Sequence, residues 1–330
     1  MDITIRAFRM DDIPALAALR TAVEEMEHLG IATSEQDLRN RHATPELDPE
    51  RNEFVAVTPD GQIVGAEWVA VRHGIGEDTF NIFGLVHPAR RGQGIGQKLM
   101  DVAIARVQER TGEAKSSNLW LQSTDIHDAP DDGGRIALFE SNGFEVVRWG
   151  IDMRCELPGL GKIAPVVPIV QEPPGIQLRK WRPGVDDEAV GWMLNEAFRD
   201  SWGYAEIVMA DWLRYLKSGS LDLEHCVLAW DAANERLVGA CVNLCDEDTF
   251  RRRGRRELYV DDLAVLREYR KRGIATALLA WTLNRADHLG MQSVGLGADA
   301  ENITGAVRLY RRLGFEIIGK MRIYRKRLSA

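Results

Sequence analysis

Two stretches of the chain bring together residue types able to hold an anion. Residues 268–279, EYRKRGIATALL, set Arg270, Lys271 and Arg272 before Gly273 and a run that reads as a helix. Residues 88–100, PARRGQGIGQKLM, set Arg90 and Arg91 before Gly92, Gly94 and Gly96. The first N–H groups of a helix have no intrahelical partner, and the helix dipole adds about half a positive charge at that end. A strand, a basic glycine turn and a helix start are therefore the parts of a phosphate site. Glycine admits close approach and positive φ, the basic side chains add full charges, and Thr276 adds a hydroxyl. Neither stretch contains G-x-x-x-x-G-K-[ST], and the glycines of residues 268–279 do not give G-x-G-x-x-G. Both fit Arg-x-x-Gly-x-Gly/Ala, as Arg91-Gly92-Gln93-Gly94-Ile95-Gly96 and Arg270-Lys271-Arg272-Gly273-Ile274-Ala275. Just upstream of the second lies LYVDDLAVL, residues 258–266, a strand pattern with two adjacent acids. Strand alternation sends Asp261 and Asp262 to opposite faces, and burial of either raises its pKa toward a working pH.

The elements that must hold these groups recur along the chain. ITIRAFRMDD from Ile3 returns as IQLRKWRPGVDD from Ile176, GQIVGA (61–66) as ERLVGA (235–240), and ALFESNGFEVV (137–147) as RLYRRLGFEII (308–318). The offsets are 173, 174 and 171 residues, and Arg91 matches Arg270 at an offset of 179. The chain thus reads as one domain twice, with halves 1–156 and 176–330. Residues 157–175 carry five prolines, which exclude helix and interrupt strand pairing, and read as the linker. In each half the patterns predict a strand, an amphipathic helix, two hairpin strands, a strand ending at Val86 or Val265, the basic turn and a second helix. A further strand, a short helix and a final strand pair complete each half. The fold class is α+β: two tandem units, each a mixed, mostly antiparallel sheet flanked by helices.

Composition narrows the function. A length of 330 residues suits two domains, and a net charge of −8 argues against nucleic acid as a general partner. The one basic knot, RRRGRR at 251–256, reads as a solvated hairpin turn. No apolar run approaches the ~18 residues of a membrane span and no basic n-region opens the chain, so a cytoplasmic protein without a membrane partner is expected. Cys155, Cys226, Cys241 and Cys245 lack the spacing of a zinc site and read as buried small apolar residues.

With the turn, the strand closing in Val and the downstream NITGAVRLYRRLGF (302–315), the chain resembles the GNAT superfamily of acyl-CoA-dependent N-acyltransferases, over both halves. The resemblance implies acetyl-CoA as cofactor and direct transfer of its acetyl group to an amine, with no covalent enzyme intermediate. It places the coenzyme on both turns, with backbone contacts at Val86, Leu263 and Val265. It also implies Asp261 as the base, with Asp262 or Glu257 as substitutes, Tyr310 as the acid for the thiolate, and Asn302 as a helix cap touching the cofactor. Gly295 and Gly297 would permit close approach of the pantetheine arm or of another backbone.

The first half departs from this pattern. Ile82 and Phe83 stand where Asp261 and Asp262 would, Phe139 replaces Tyr310, and Asp131 falls where Asn302 would be. Arg91 to Phe139 spans 48 residues against 40 from Arg270 to Tyr310, an eight-residue insertion. The first half is expected to be catalytically degenerate and the second catalytic. In residues 199–225, Trp202, Tyr204, Trp212 and Tyr215 beside Asp200, Glu206 and Asp211 suit a cationic amine, or else a helix burying its aromatics. The expected activity is N-acetylation of a small-molecule amine. A protein or peptide N-acetyltransferase and a non-catalytic acyl-CoA-binding module are the alternatives.

Overall fold

A computed structural model describes residues 2–27, 33–43, 47–123, 126–127, 133–158, 168–217, 221, 223–245, 250, 254–301 and 305–328. Asn302 and Asp131, residues 251–253 of the basic knot and residues 159–167 of the linker lie outside these residues.

The chain forms two compact units, Met1–Arg148 with Arg322–Ala330, and Trp149–Met321. In the first unit β1 (Thr4–Ala7), β2 (Glu53–Val57), β3 (Ile63–His73) and β4 (Asp78–Val86) run antiparallel to their neighbours. β5 (Leu119–Ser123) then joins β4 in parallel. In the second unit β8 (Ile176–Lys180), β9 (Val227–Asp231), β10 (Arg236–Leu244) and β11 (Glu257–Val265) repeat the antiparallel order. β12 (Ser293–Asp299) joins β11 in parallel. A two-residue strand, β6 (Ile126–His127), lies off the main order.

Each half closes on one long strand rather than the expected pair: β7 (Glu145–Glu156) and β13 (Glu316–Arg327). Residues 150–156 of β7 pair antiparallel with β12 of the second unit. Residues 325–327 of β13 pair with β5 of the first. The compact units therefore differ from the halves of the repeat at these strands, because each last strand pairs with a sheet edge that the other half leaves open.

Helices cover both faces of each sheet. In the first unit α1 (Ile13–Glu27), with α2 (Glu35–His42) and the turn α3 (Pro49–Asn52), lies on one face. There Leu16, Leu19 and Val23 pack on Val55 and Leu85. On the other face α4 (Ile95–Arg110), which follows the basic turn, buries Ile95, Leu99, Ala103 and Val107 at four-residue spacing, beside α5 (Gly133–Ser141). The second unit repeats this with α6 (Asp187–Phe198) and α7 (Met209–Lys217), then α8 (Ile274–His288) and α9 (Ala306–Arg312). Gly65 and Gly239, equivalent in the repeat, seat the two turn helices. A Cβ there would stand 3.0 Å from Leu99 in one and 2.9 Å from the Ala264 carbonyl oxygen in the other. Among the described residues no helix is long and apolar enough to cross a membrane.

The repeated opening is a clamp between strand and helix. Arg6 donates to Asp12 at 2.7 and 2.8 Å, and Arg179 donates to Asp186 at 2.6 and 2.9 Å. Asp186 also accepts from the Arg182 side chain at 2.9 Å and its N–H at 2.9 Å. Burial alone would raise the Asp186 pKa, but the hydrogen bonds from Arg179 and Arg182 hold it far below the ordinary carboxylate value.

Candidate active site

The two basic turns adopt one backbone conformation. Gly92 and Gly94 have φ of 72° and 76°; Lys271 and Gly273, their counterparts, have 63° and 84°. Two left-handed residues spaced in this way turn successive N–H groups inward and deliver the chain to a helix whose first residue is Ile95 or Ile274. Open space surrounds Gly92 and Gly94, where a Cβ would meet no atom within 4 Å. Lys271, Arg272 and Thr276 are exposed around the second turn. Arg272 stacks on the Tyr269 ring at 4.9 Å, and the Tyr269 hydroxyl donates to Asp231 at 2.9 Å. Backbone donors, a helix start and exposed cations fit a diphosphate.

The arginine that opens each motif does other work. The Arg270 guanidinium donates to the carbonyls of Val265 (3.2 Å) and Ala197 (2.6 Å) and to both oxygens of Asp200 (2.6 and 2.9 Å). Arg91 donates to the Val86 carbonyl at 3.3 Å and pairs with Glu27, which Arg135 also holds at 2.8 Å. Glu27 and Asp200 are themselves 173 residues apart, the offset of the repeat. In both units the side chain ties the strand end and the turn to the end of the first helix. What Arg91 and Arg270 present to the turn is backbone. An acid recurring at the repeat spacing is the sequence signal for this pairing, and it makes Asp200 part of the strut rather than of the acceptor region.

Beside each turn the sheet opens. β11 pairs with β12 only from Glu257↔Ser293 to Val260↔Leu296 and then runs on through Leu263 to Val265. β4 pairs with β5 only as far as Ile82↔Ser123 and runs on to Val86. The edge of residues 261–265 that faces away from β10 thus offers backbone donors and acceptors to an extended ligand.

The acids sit where this opening begins. Between β10 and β11 the register shifts: Val242 faces Asp262 while Asn243 faces Val260. Asp261 is the extra residue of a β-bulge, and the expected alternation of the two acids is broken there. Asp261 is exposed and Asp262 half-buried. Although part of Asp261 is exposed, partial desolvation by the surrounding protein raises its pKa; burial, then the charge of Asp261, pushes Asp262 up to about 7. Both carboxylates, after burial, raise the pKa of Tyr215 on α7, so all three groups share one site. In the first unit β3 and β4 pair without a shift, with Val69 facing Ile82 and Trp68 facing Phe83. Phe83 is therefore the counterpart of Asp262, Ile82 that of Val260, and Asp261 has no counterpart. This corrects the match of Ile82 to Asp261 drawn from sequence spacing.

Glu257 is buried and committed elsewhere. It accepts from Arg154 at 2.5 Å and from the Ser293 hydroxyl at 2.7 Å. A Cβ on Gly295 would come within 2.9 Å of its carboxyl carbon, and one on Gly297 within 3.0 Å of the Tyr259 hydroxyl. The close approach those glycines permit is to side chains of the neighbouring strand.

Tyr310 lies on α9, 8 % exposed, against Phe315. Burial, then the neighbouring Cys241 thiol, pushes its pKa up to about 12, so the hydroxyl carries its proton at neutral pH. Cys155, Cys226 and Cys241 are buried, and burial pushes the Cys241 thiol up to about 12, which leaves it inert as a nucleophile. In the acceptor region Trp212 is core: it donates to the Asp187 carbonyl at 2.8 Å and stands 6.1 Å from Trp181. Tyr204 donates to Asn195 at 2.9 Å. Tyr215, 39 % exposed, is the aromatic that faces the acids.

Comparison with known proteins agrees with this geometry. A family model described as "Acetyltransferase (GNAT) family" matches residues 188–315, and one described as "Acetyltransferase (GNAT) domain" matches residues 50–146. The chain is 26 % identical over 313 residues to a mycothiol acetyltransferase of Geodermatophilus obscurus, covering 92 % of this chain and 90 % of that one. It is 27 % identical over 324 residues to a mycothiol acetyltransferase of Catenulispora acidiphila, covering 95 % and 96 %. Among solved structures, a GCN5-related N-acetyltransferase from Sphaerobacter thermophilus superposes with a TM-score of 0.73 at 27 % identity, covering 98 % of this chain and 95 % of that one. A tandem GNAT protein from the clavulanic acid biosynthesis pathway superposes with a TM-score of 0.72 at 17 % identity, covering 99 % and 98 %, and shares the fold.

Proposed function

Since the chain belongs to the GNAT family of acetyltransferases, we propose that it acetylates the primary amine of a small molecule from acetyl-CoA, with its active site in the second unit. The observation that carries this reading is the bulge at Asp261, which sets two acids of raised pKa at the mouth of the opened strand. Acetyl-CoA, when bound, supplies the activated acyl thioester.

The residues of the second unit divide the remaining work. The N–H groups of residues 271–275 and the side chains of Lys271, Arg272 and Thr276 hold the diphosphate, while Arg270 keeps the turn in place. The open edge at Leu263 and Val265 hydrogen-bonds the pantetheine arm and leads it to the bulge. There a backbone N–H polarises the thioester carbonyl, since a bulge frees groups that the ladder would otherwise consume. Asp262, with its pKa near the working pH and Asp261 beside it, accepts the proton of the incoming ammonium directly or through water. Tyr310 returns a proton to the departing sulfur.

The first unit holds a second coenzyme on Gly92, Gln93, Gly94, Ile95 and Gly96, beside Val86 and with Arg91 as strut, and lacks the acids of β11. That the mycothiol acetyltransferases match nearly the whole chain supports a small-molecule acceptor.

The test is release of coenzyme A thiol from acetyl-CoA with a panel of amines: amino-sugar thiols, polyamines, aminoglycosides, amino acids and a peptide with a free N-terminus. A small amine that raises release well above hydrolysis is the expected result. Release with the peptide alone would move the reading to a protein acetyltransferase, and binding without release to any amine would make the chain an acyl-CoA-binding module.

A further inference from the structure

The first unit carries a carboxyl group that no part of the proposed chemistry uses. Glu67, on β3, is 5 % exposed, and its Oε1 is buried without a hydrogen-bond partner among the described residues. It faces Gly84 across the β3–β4 ladder, and a Cβ on Gly84 would collide with its carboxylate. The side chain therefore lies over the segment of β4 that has left β5, beside the opening of that sheet. In the second unit the same ladder pair is Cys241 facing Leu263, a small residue against a large one where the first unit has the reverse. Glu67 and Cys241 directly follow the repeated Val-Gly-Ala, and the Cys241 thiol lies close enough to Tyr310 to act on its pKa. Phe139 stands at the position of Tyr310 in the first half. The proton-bearing group lost at Phe139 thus has a replacement on the adjacent strand.

We propose that the first unit is a second acyl-transfer site, in which the Glu67 carboxyl takes the place of Tyr310 and hands its proton to the departing thiolate. This rests on the reading that the first unit binds acetyl-CoA. The nitrogen lone pair of the amine attacks the thioester carbonyl carbon and the C–S bond breaks. Sulfur takes the Glu67 proton, and the proton shed by nitrogen passes to water and restores the carboxyl. Burial pushes the Glu67 pKa up to about 8, so it is protonated at neutral pH. With Ile82 and Phe83 on β4 and no bulge, this unit has no base there for an ammonium. Its acceptor is accordingly an amine that is already unprotonated, such as an arylamine. Phe83 and Leu85 floor a cleft bordered by Arg20, Arg41, Trp68, Glu53 and Glu67 itself, and its two guanidiniums against the one carboxylate left ionised suit an acceptor that also bears an anion.

The experiment uses the full chain with Tyr310→Phe, acetyl-CoA and 4-aminobenzoate as probe. Calorimetry is expected to give two coenzymes per chain, and thiol release is expected to fall at least tenfold on adding Glu67→Gln. Its rate should decline as pH rises past about 8 with Glu67 in place and lose that decline in the Gln variant. Glu67→Cys, which installs the second unit's own residue, should match Glu67→Gln and guards against a folding defect. Two coenzymes bound with no thiol release, or with release changed less than twofold by Glu67→Gln, overturns the proposal and leaves the binding reading intact. One coenzyme per chain overturns the binding reading and the proposal with it.

Discussion

At the scale of single residues, the function proposed for the second unit comes down to how burial sets three pKa values. Asp262 titrates near 7 because burial, and then Asp261, disfavour its charge. As a base it must be ionised, so kcat/KM is expected to rise with pH through about 7 and flatten above. Asp262→Asn should remove that limb and lower kcat by about a hundredfold; an unchanged pH profile would pass the role to Asp261, and Asp261→Asn measures that directly. Tyr310→Phe should lower kcat by at least about tenfold while changing coenzyme affinity by less than about threefold, because a phenol O–H acting on sulfur contributes to the transition state rather than to binding. Steady-state kinetics beside calorimetry separates the two. All these residues could be found in the sequence, since acids on a strand and a tyrosine before Gly-Phe keep fixed spacing from the turn. The bulge could not be found there: one extra residue in a strand is visible only against its partner strand, and the partner is supplied by folding.

At the scale of elements, the turn and the strand-to-helix clamp decide whether the site is held in shape. Lys271 has φ of 63°, where the first unit has Gly92. A side chain in the left-handed region costs energy that glycine does not. Lys271→Gly is therefore expected to stabilise the chain by about 0.5–1 kcal/mol in denaturant unfolding, while coenzyme affinity falls and loses part of its salt dependence with the charge. Asp186 gathers two arginines and a backbone N–H at 5 % side-chain exposure. Asp186→Asn should destabilise by about 3 kcal/mol, since it leaves Arg179 short of its buried partner. Its lowered pKa gives a stability contribution that is present above about 4 and is lost as pH falls through its folded value. The repeated Arg and Asp of each opening were legible as a repeat. Their pairing was not, because partners six or seven residues apart meet only once a strand turns into a helix.

At the scale of the whole molecule, both units share one strand order and differ in what their central strands carry. Glu67 makes the difference measurable without a substrate. Its pKa rises from 4.5 to about 8 on folding, so the folded state favours its proton. The stability this gives is complete below about 4.5 and is lost as pH rises through about 8, by several kcal/mol. Unfolding followed from pH 4 to 9 should show this slope, and Glu67→Gln should remove it. A slope unchanged in the Gln variant would mean that the carboxyl has found a partner.

Legible in the chain alone are the duplication, the two turns, the family they resemble and the half that carries the acids. These are properties of local spacing, and spacing is written in the chain. The tertiary structure alone decided which strand closes each sheet and that the motif arginines are struts. It also decided that Glu257 is an ion-pair partner and that Asp261 occupies a bulge with no counterpart in the first unit. Each of these depends on a group whose partner lies far away in sequence, and for a buried charge or an unpaired strand edge the partner decides the role.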